Sequence, residues 1–188
     1  MSSTSPDERR TAIIHAVWQV IAERGMGAVS MRNVATAAGV SVGRIQYWFT
    51  SKDELLRAGL ETMLSGAAQI HETATEGADA RETLWQLIGQ SIPRAESSGA
   101  GDSVFHQYIA AAINHPPLAR ILAEAKDGAE NEAARLLAGI APELADPHLA
   151  ARSLMATADG LTMRVLIGSL TAAEAERALR GTMERFTD

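Results

Sequence analysis

Residues 30–52 read SMRNVATAAGVSVGRIQYWFTSK, and this stretch decides the fold. Ser30 stands where a hydroxyl can accept from the open N–H groups of a helix that carries Val34, Ala35 and Ala38 on its inner face. Gly39 ends that helix. Ser41 can cap a second short helix running to about Phe49. Two short helices about a Gly39-Val40-Ser41 turn have helix-turn-helix spacing, in which the second helix is free to enter a major groove. Val34, Ala35, Ala38, Val40, Ile45 and Phe49 form the apolar set expected to lock the pair together, with small alanines permitting a close crossing. The opposite face of the second helix shows Val42, Gly43, Arg44, Gln46 and Tyr47. Arginine can pair with guanine and glutamine with adenine, so this face carries base-reading chemistry. Ser30, Tyr47 and Lys52 are candidate phosphate contacts, and Arg32 completes the DNA-facing set. In Tyr47-Trp48-Phe49, core packing is the expected role of Phe49 and Trp48, and exposure that of Tyr47.

Outward from this stretch the whole chain reads helical, and no period-two run of β-branched residues appears. A first helix is expected from about Asp7 to Arg24, with Ile13, Val17, Val20 and Ile21 on one face and glycines Gly25 and Gly27 at its end. Ser51-Lys52-Asp53-Glu54 reads as a capping box opening a long fourth helix. Thr75–Asp79 is a connector, and a helix with Leu84, Leu87 and Ile88 inward ends before Pro93. Glu96–Gly101 reads as a Ser/Gly loop, followed by a helix from Asp102 to about Asn114. Pro116-Pro117 suits the first turn of a helix to about Gly139, Asp146-Pro147 opens another to about Gly168, and Thr171-x-x-Glu174 caps the last, to about Phe186. The expectation is an all-α chain of about nine helices.

The 188 residues are 46% apolar and 21% charged, the balance of a globular protein with a real core. There is no cysteine, which excludes disulfide scaffolds, thiolate zinc sites, iron–sulfur ligation and thiol nucleophiles. The net charge of −6 argues at first against nucleic acid. Its distribution reverses that. From Arg24 to Lys52 the charged residues are Arg24, Arg32, Arg44 and Lys52, with no Asp or Glu among them, so the remainder of the chain carries −10 against +4 here. The five histidines are scattered and none lies in a zinc-hydrolase pattern, no phosphate loop or nucleophile elbow occurs, and neither metal nor cofactor is expected. No signal-peptide stretch or run of about 18 apolar residues is present, so a cytoplasmic protein without a membrane partner is expected. A small all-α enzyme and a helical protein-binding adaptor are the rival classes. Neither predicts a salt-dependent interaction with duplex DNA.

The ordered string Gly39-Val40-Ser41-Val42-Gly43-Arg44-Ile45-Gln46-Tyr47-Trp48-Phe49-Thr50-Ser51-Lys52-Asp53-Glu54-Leu55-Leu56 resembles the signature of the tetracycline-repressor (TetR) family, and the likeness covers about residues 8–60. Gln46 departs from it, since tyrosine is frequent there, and this leaves the base preference open. More weakly, Asp159-Gly160-Leu161 and Leu166-x-Gly168 are similar to the C-terminal part of a regulator subgroup. The resemblance implies a three-helix DNA-binding head, residues 7–50, and a helical body, residues 51–188, that binds a small-molecule effector and forms a homodimer. A two-fold dimer implies a palindromic operator on double-stranded DNA, and a repressor released by its effector. The resemblance also puts an effector cavity among the fourth to eighth helices, where Met63, Trp85, Phe105, His106, Tyr108, Met155 and Met163 are available, with His106 and Tyr108 as polar anchors. Stripes on the last two helices are expected to build the dimer: Leu154, Ala158, Leu161 and Val165 on one, Leu179, Met183 and Phe186 on the other. The alternative is that these stripes pack only within one subunit.

Overall fold

The computed structural model describes residues 6–94 and 96–188, with side chains for 7–94 and 101–188. Among the described residues all regular structure is helical: α1 (Pro6–Arg24), a 3-10 turn (Met26–Ala28), α2 (Met31–Ala37), α3 (Val42–Trp48), α4 (Lys52–Ala74), α5 (Ala80–Gly89), α6 (Glu96–Ala112), α7 (Pro116–Ile140), α8 (Pro147–Leu166) and α9 (Ala172–Thr187). The helix starts follow their caps. Oxygens of Ser30, Ser41, Asp79 and Asp146 each accept from a backbone N–H three residues on, at 3.1, 3.2, 2.8 and 2.9 Å. At α9, Thr171 and Glu174 form a reciprocal capping box. At α4 the box is only half made. Ser51 Oγ accepts from Glu54 N, but the Glu54 carboxylate reaches back to Thr50 instead, accepting from its N–H at 2.6 Å and its hydroxyl at 2.8 Å.

One expected loop is helical. α6 begins at Glu96, so residues 96–101 belong to it. Once the segment with Val104, Tyr108 and Ala112 is anchored in the core, each added residue gains a hydrogen bond without a new nucleus, and weak formers such as Ser and Gly can follow.

The chain divides into two compact units, neither of them contiguous: residues up to Ser65 with Ser103–Leu122, and Gly66–Asp102 with Ala123–Asp188. The 7–50 segment lies wholly within the first. There α1 contributes Ile13, Ile14, Val17, Val20 and Ile21 to the core, joined by Val34, Ala35, Ile45, Phe49, Leu55, Leu60, Tyr108 and Leu118. Two polar ties bind α1 into this unit. Trp18 Nε1 donates to Gly59 O at 3.1 Å. Gln107 accepts from Met26 N, a donor just past the end of α1, and donates to Ile21 O, which also accepts from Gly25 N. In the second unit Leu84, Trp85 and Ile88 of α5 pack with Ala133, Ala134 and Leu137 of α7, Ala151, Leu154 and Ala158 of α8, and Ala175, Leu179 and Met183 of α9. The Arg180 guanidinium lies 3.6 Å from the Trp85 ring centroid.

Candidate nucleic-acid interface

The recognition geometry is set by how α3 is held. Ile45 and Phe49 are buried, at 0% and 1% exposure, and pin its inner side. Gly39, at φ 64°, takes the left-handed conformation that turns the chain from α2 into α3. Arg10 lies over the Phe49 ring, 5.3 Å from its centroid. With the inner side fixed, Gly43, Arg44, Gln46 and Tyr47 are left in solvent, Tyr47 at 77% exposure. The Tyr47 ring meets Trp48 edge-on at 5.1 Å, which restrains an otherwise free phenol. A Cβ on Gly43 would come no nearer than 4.0 Å to any other group, so the packing of this chain does not require glycine there.

Two valines differ from expectation. Val42 is half-buried and packs on the core, because the first turn of α3 rolls it inward, so it is not a freely exposed DNA-facing residue. Val40, expected in the core, is exposed at 37%. It sits in the turn, beyond the reach of the inner face. Arg32 and Lys52 are exposed, and Ser30 is half-buried with its hydroxyl engaged as the α2 cap. Among the described residues none of Arg9, Arg32, Arg44 or Lys52 is held in an ion pair, so their charge is available to an anion.

Arg9 belongs in that group although sequence reading passed it over. It borders a groove of about 340 Å³ whose walls also include Ala12 and Ile13 of α1, the Gly39–Ser41 turn and Arg44. In the sequence Arg9 is hidden among Asp7, Glu8 and Arg10, and only the fold brings it beside Arg44.

The seven expected pocket residues divide between the units. Met63, Phe105, His106 and Tyr108 lie in the first, Trp85, Met155 and Met163 in the second. Tyr108 is wholly buried and its hydroxyl has no hydrogen-bond partner among the described residues. Burial pushes the phenol above its ordinary range, so it is neutral. Trp85 is a core residue covered by Arg180, and Met163 is 45% exposed on α8.

Most of the expected dimer stripe is turned inward in the single chain. Leu154, Ala158, Leu179 and Met183 are all buried inside their own unit at 0–6% exposure, while Leu161, Val165 and Phe186 are half-buried against the same core. They join α8 to α9 and α5 within one chain. The face of α8 left uncovered carries Leu149, Ala156, Gly160 and Met163, and continues to Ile167 just past the helix, with Leu149 at 58% and Ile167 at 69% exposure.

Residues 13–58 match the bacterial regulatory proteins of the tetR family, and residues 80–188 match the BetI-type transcriptional repressor C-terminal region. The regulator BetI of Stenotrophomonas maltophilia is 32% identical over 180 residues, covering 91% of this chain and 88% of the relative. The regulator PksA of Bacillus subtilis is 27% identical, over 86% of this chain and 80% of its own. Among solved structures, a TetR-family regulator from Rhodococcus sp. superposes with a TM-score of 0.88 at 25% identity, covering 96% of this chain and all of its own. A transcriptional regulator from Saccharomonospora viridis, solved in complex with choline, gives 0.85 at 26% identity over 96% and 97% of the two chains. With both parts of the sequence matched and the helix-turn-helix in place, the chain belongs to the TetR family of DNA-binding transcriptional regulators.

Proposed function

We propose that the chain represses transcription as a homodimer on a palindromic operator and leaves it when a small-molecule effector binds. The observation that carries this reading is the outer face of α3, where Arg44 and Gln46 stand exposed on a helix fixed from behind by Ile45. It is a regulator and not an enzyme, and as a family member it is not a protein-only adaptor. No described helix is long and apolar enough to cross a membrane. Residues 7–50, with Lys52 at the start of α4, serve DNA, and the rest of residues 51–188 serves effector and partner.

Arg44 and Gln46 read bases, and Gly43 lets the DNA backbone approach. Tyr47, Arg32 and Lys52 take phosphates, with Ser30 holding α2 in register. Arg9, sharing its groove with Arg44, adds a phosphate contact at the edge of the same face. The effector contact is assigned to Met63, Phe105, His106 and Tyr108 of the first unit. The unpartnered Tyr108 hydroxyl supports it, since a buried hydroxyl without an acceptor or donor is a place where a ligand can supply one. The choline held by the Saccharomonospora viridis relative supports an effector of small size. An effector lowers operator affinity only by as much as it prefers the released conformation.

Selection of duplexes from a random pool tests the core of this. The enriched sites should be inverted repeats, with half-site centres about one helical turn or a multiple of it apart. Enrichment of no palindrome at moderate salt would refute the reading. The roles separate in a second measurement. Arg44→Ala is expected to cost about 1–3 kcal/mol on the preferred site and to relax one position of it. Lys52→Ala should weaken all sequences alike and lower the salt slope by about one unit. A Lys52→Ala protein with altered base preference and an unchanged slope would contradict the assignment.

A further inference from the structure

His115 stands at the corner between α6 and α7, and its two ring nitrogens face different elements. Nδ1 accepts from Leu118 N–H at 3.3 Å, which caps the start of α7. Nε2 lies 2.7 Å from Asp53 Oδ1, in the first turn of α4. The second Asp53 oxygen accepts from Arg57 Nε at 2.9 Å. Because Nδ1 is the acceptor of a backbone N–H, the ring proton sits on Nε2, and His115 donates to Asp53. The imidazole is therefore a fixed bridge from the α6–α7 corner to the residue next to Lys52. Among the described residues the other polar bonds of this turn, those of Ser51, Thr50 and Glu54, and the Asp53–Arg57 pair, are internal to it or to α4. They shape the turn but do not tie it to another element.

We propose that His115 is a positioning residue for DNA binding: through Asp53 it fixes the first turn of α4, so that Lys52 meets its phosphate in one orientation. The proposal rests on the phosphate role of Lys52 given above. Asp53 and His115 are both partly exposed, and exposed pairs of this kind contribute little to folding. Their effect should appear in operator affinity rather than in the melting temperature.

The test is a double-mutant cycle on the full chain, with operator affinity read at several salt concentrations. His115→Ser keeps a capping hydroxyl for α7 and removes the bridge. It should weaken operator binding about two- to fivefold, the scale of one exposed charged contact, without changing base preference. Its salt slope should fall toward that of Lys52→Ala, and in the Lys52→Ala background it should have no further effect. His115→Gln, whose carboxamide N–H can still donate to Asp53, should restore most of the affinity. Unchanged affinity in His115→Ser, a full additional loss on top of Lys52→Ala, or a Gln variant as weak as the Ser variant would each overturn the proposal. If Lys52→Ala itself leaves affinity and salt slope unchanged, the phosphate role of Lys52 fails and takes the proposal with it. A Lys52→Ala loss without a His115→Ser loss overturns the proposal alone.

Discussion

Replacing Met163 and Ile167 together with glutamate is expected to give a folded monomer that has lost operator binding by at least a hundredfold. Both side chains are exposed in the single chain, at 45% and 69%, so the charges should cost its fold little. Along α8 the uncovered residues Ala156, Gly160, Met163 and Ile167 recur in steps of three and four, which puts them on one line of the helix. A glycine inside a helix costs about 1 kcal/mol relative to alanine, yet a Cβ on Gly160 would meet nothing within 4 Å. A close approach from outside the chain would account for it, and a second copy of α8 crossing at this line is what the double variant tests. Four buried carboxylates at a two-fold interface would repel each other and lack partners. Without the dimer each head binds one half-site alone, and the avidity of linked sites, a factor of about 10²–10⁴, disappears. Sedimentation and operator titration read the two parts of this outcome. A double variant that still sediments as a dimer removes α8's outer face from the interface. Met183→Glu makes the contrast: at 6% exposure in the core it should unfold the second unit rather than separate two copies.

The difference between those two methionines shows where sequence reading stops. Periodicity locates apolar stripes but does not say which stripe faces the same chain. α8 has two, one with Ala151, Leu154 and Ala158, which packs against α5 and α9, and one with Ala156, Gly160 and Met163, which this chain leaves uncovered. Which stripe meets α5 and α9 is a matter of tertiary packing. Helix starts, in contrast, were legible because capping is local: Ser30, Ser41, Asp79, Asp146 and Thr171 each sit beside the backbone group they satisfy. The exposed face of α3 was legible for a related reason, since a seven-residue helix with Ile45 inward leaves few ways to turn. Val42 was misplaced because one helical step decides between solvent and core in the first turn. Arg9 and the His115–Asp53 bridge were not legible, because each joins residues distant in sequence through the fold alone.

The second large effect is expected at Gly59, and its sign should depend on Tyr108. On helix propensity alone Gly59→Ala in α4 should stabilise by about 1 kcal/mol. The structure opposes this. An added Cβ would clash with Tyr108 Oη, and the ring is wholly buried in the core, so it cannot swing aside cheaply. Overpacking of this kind costs about 1–3 kcal/mol or more, and displacement of α4 would also strain the bond from Trp18 Nε1 to Gly59 O. Gly59→Ala should therefore lower stability. Tyr108→Phe removes the obstructing atom. The nearest ring carbon, Cζ, is 3.6 Å from the same point, an ordinary contact. It also removes a buried hydroxyl without a partner, whose desolvation costs about 1–3 kcal/mol, so Tyr108→Phe alone should be neutral or stabilising. In the Tyr108→Phe background the alanine should then stabilise, reversing its effect. Denaturant titration of the four proteins measures the coupling. Equal destabilisation by Gly59→Ala in both backgrounds would show that the hydroxyl is not what the glycine accommodates. The same Tyr108→Phe protein also tests the effector assignment: if the hydroxyl anchors the effector, operator release should require more of it while operator affinity in its absence stays unchanged.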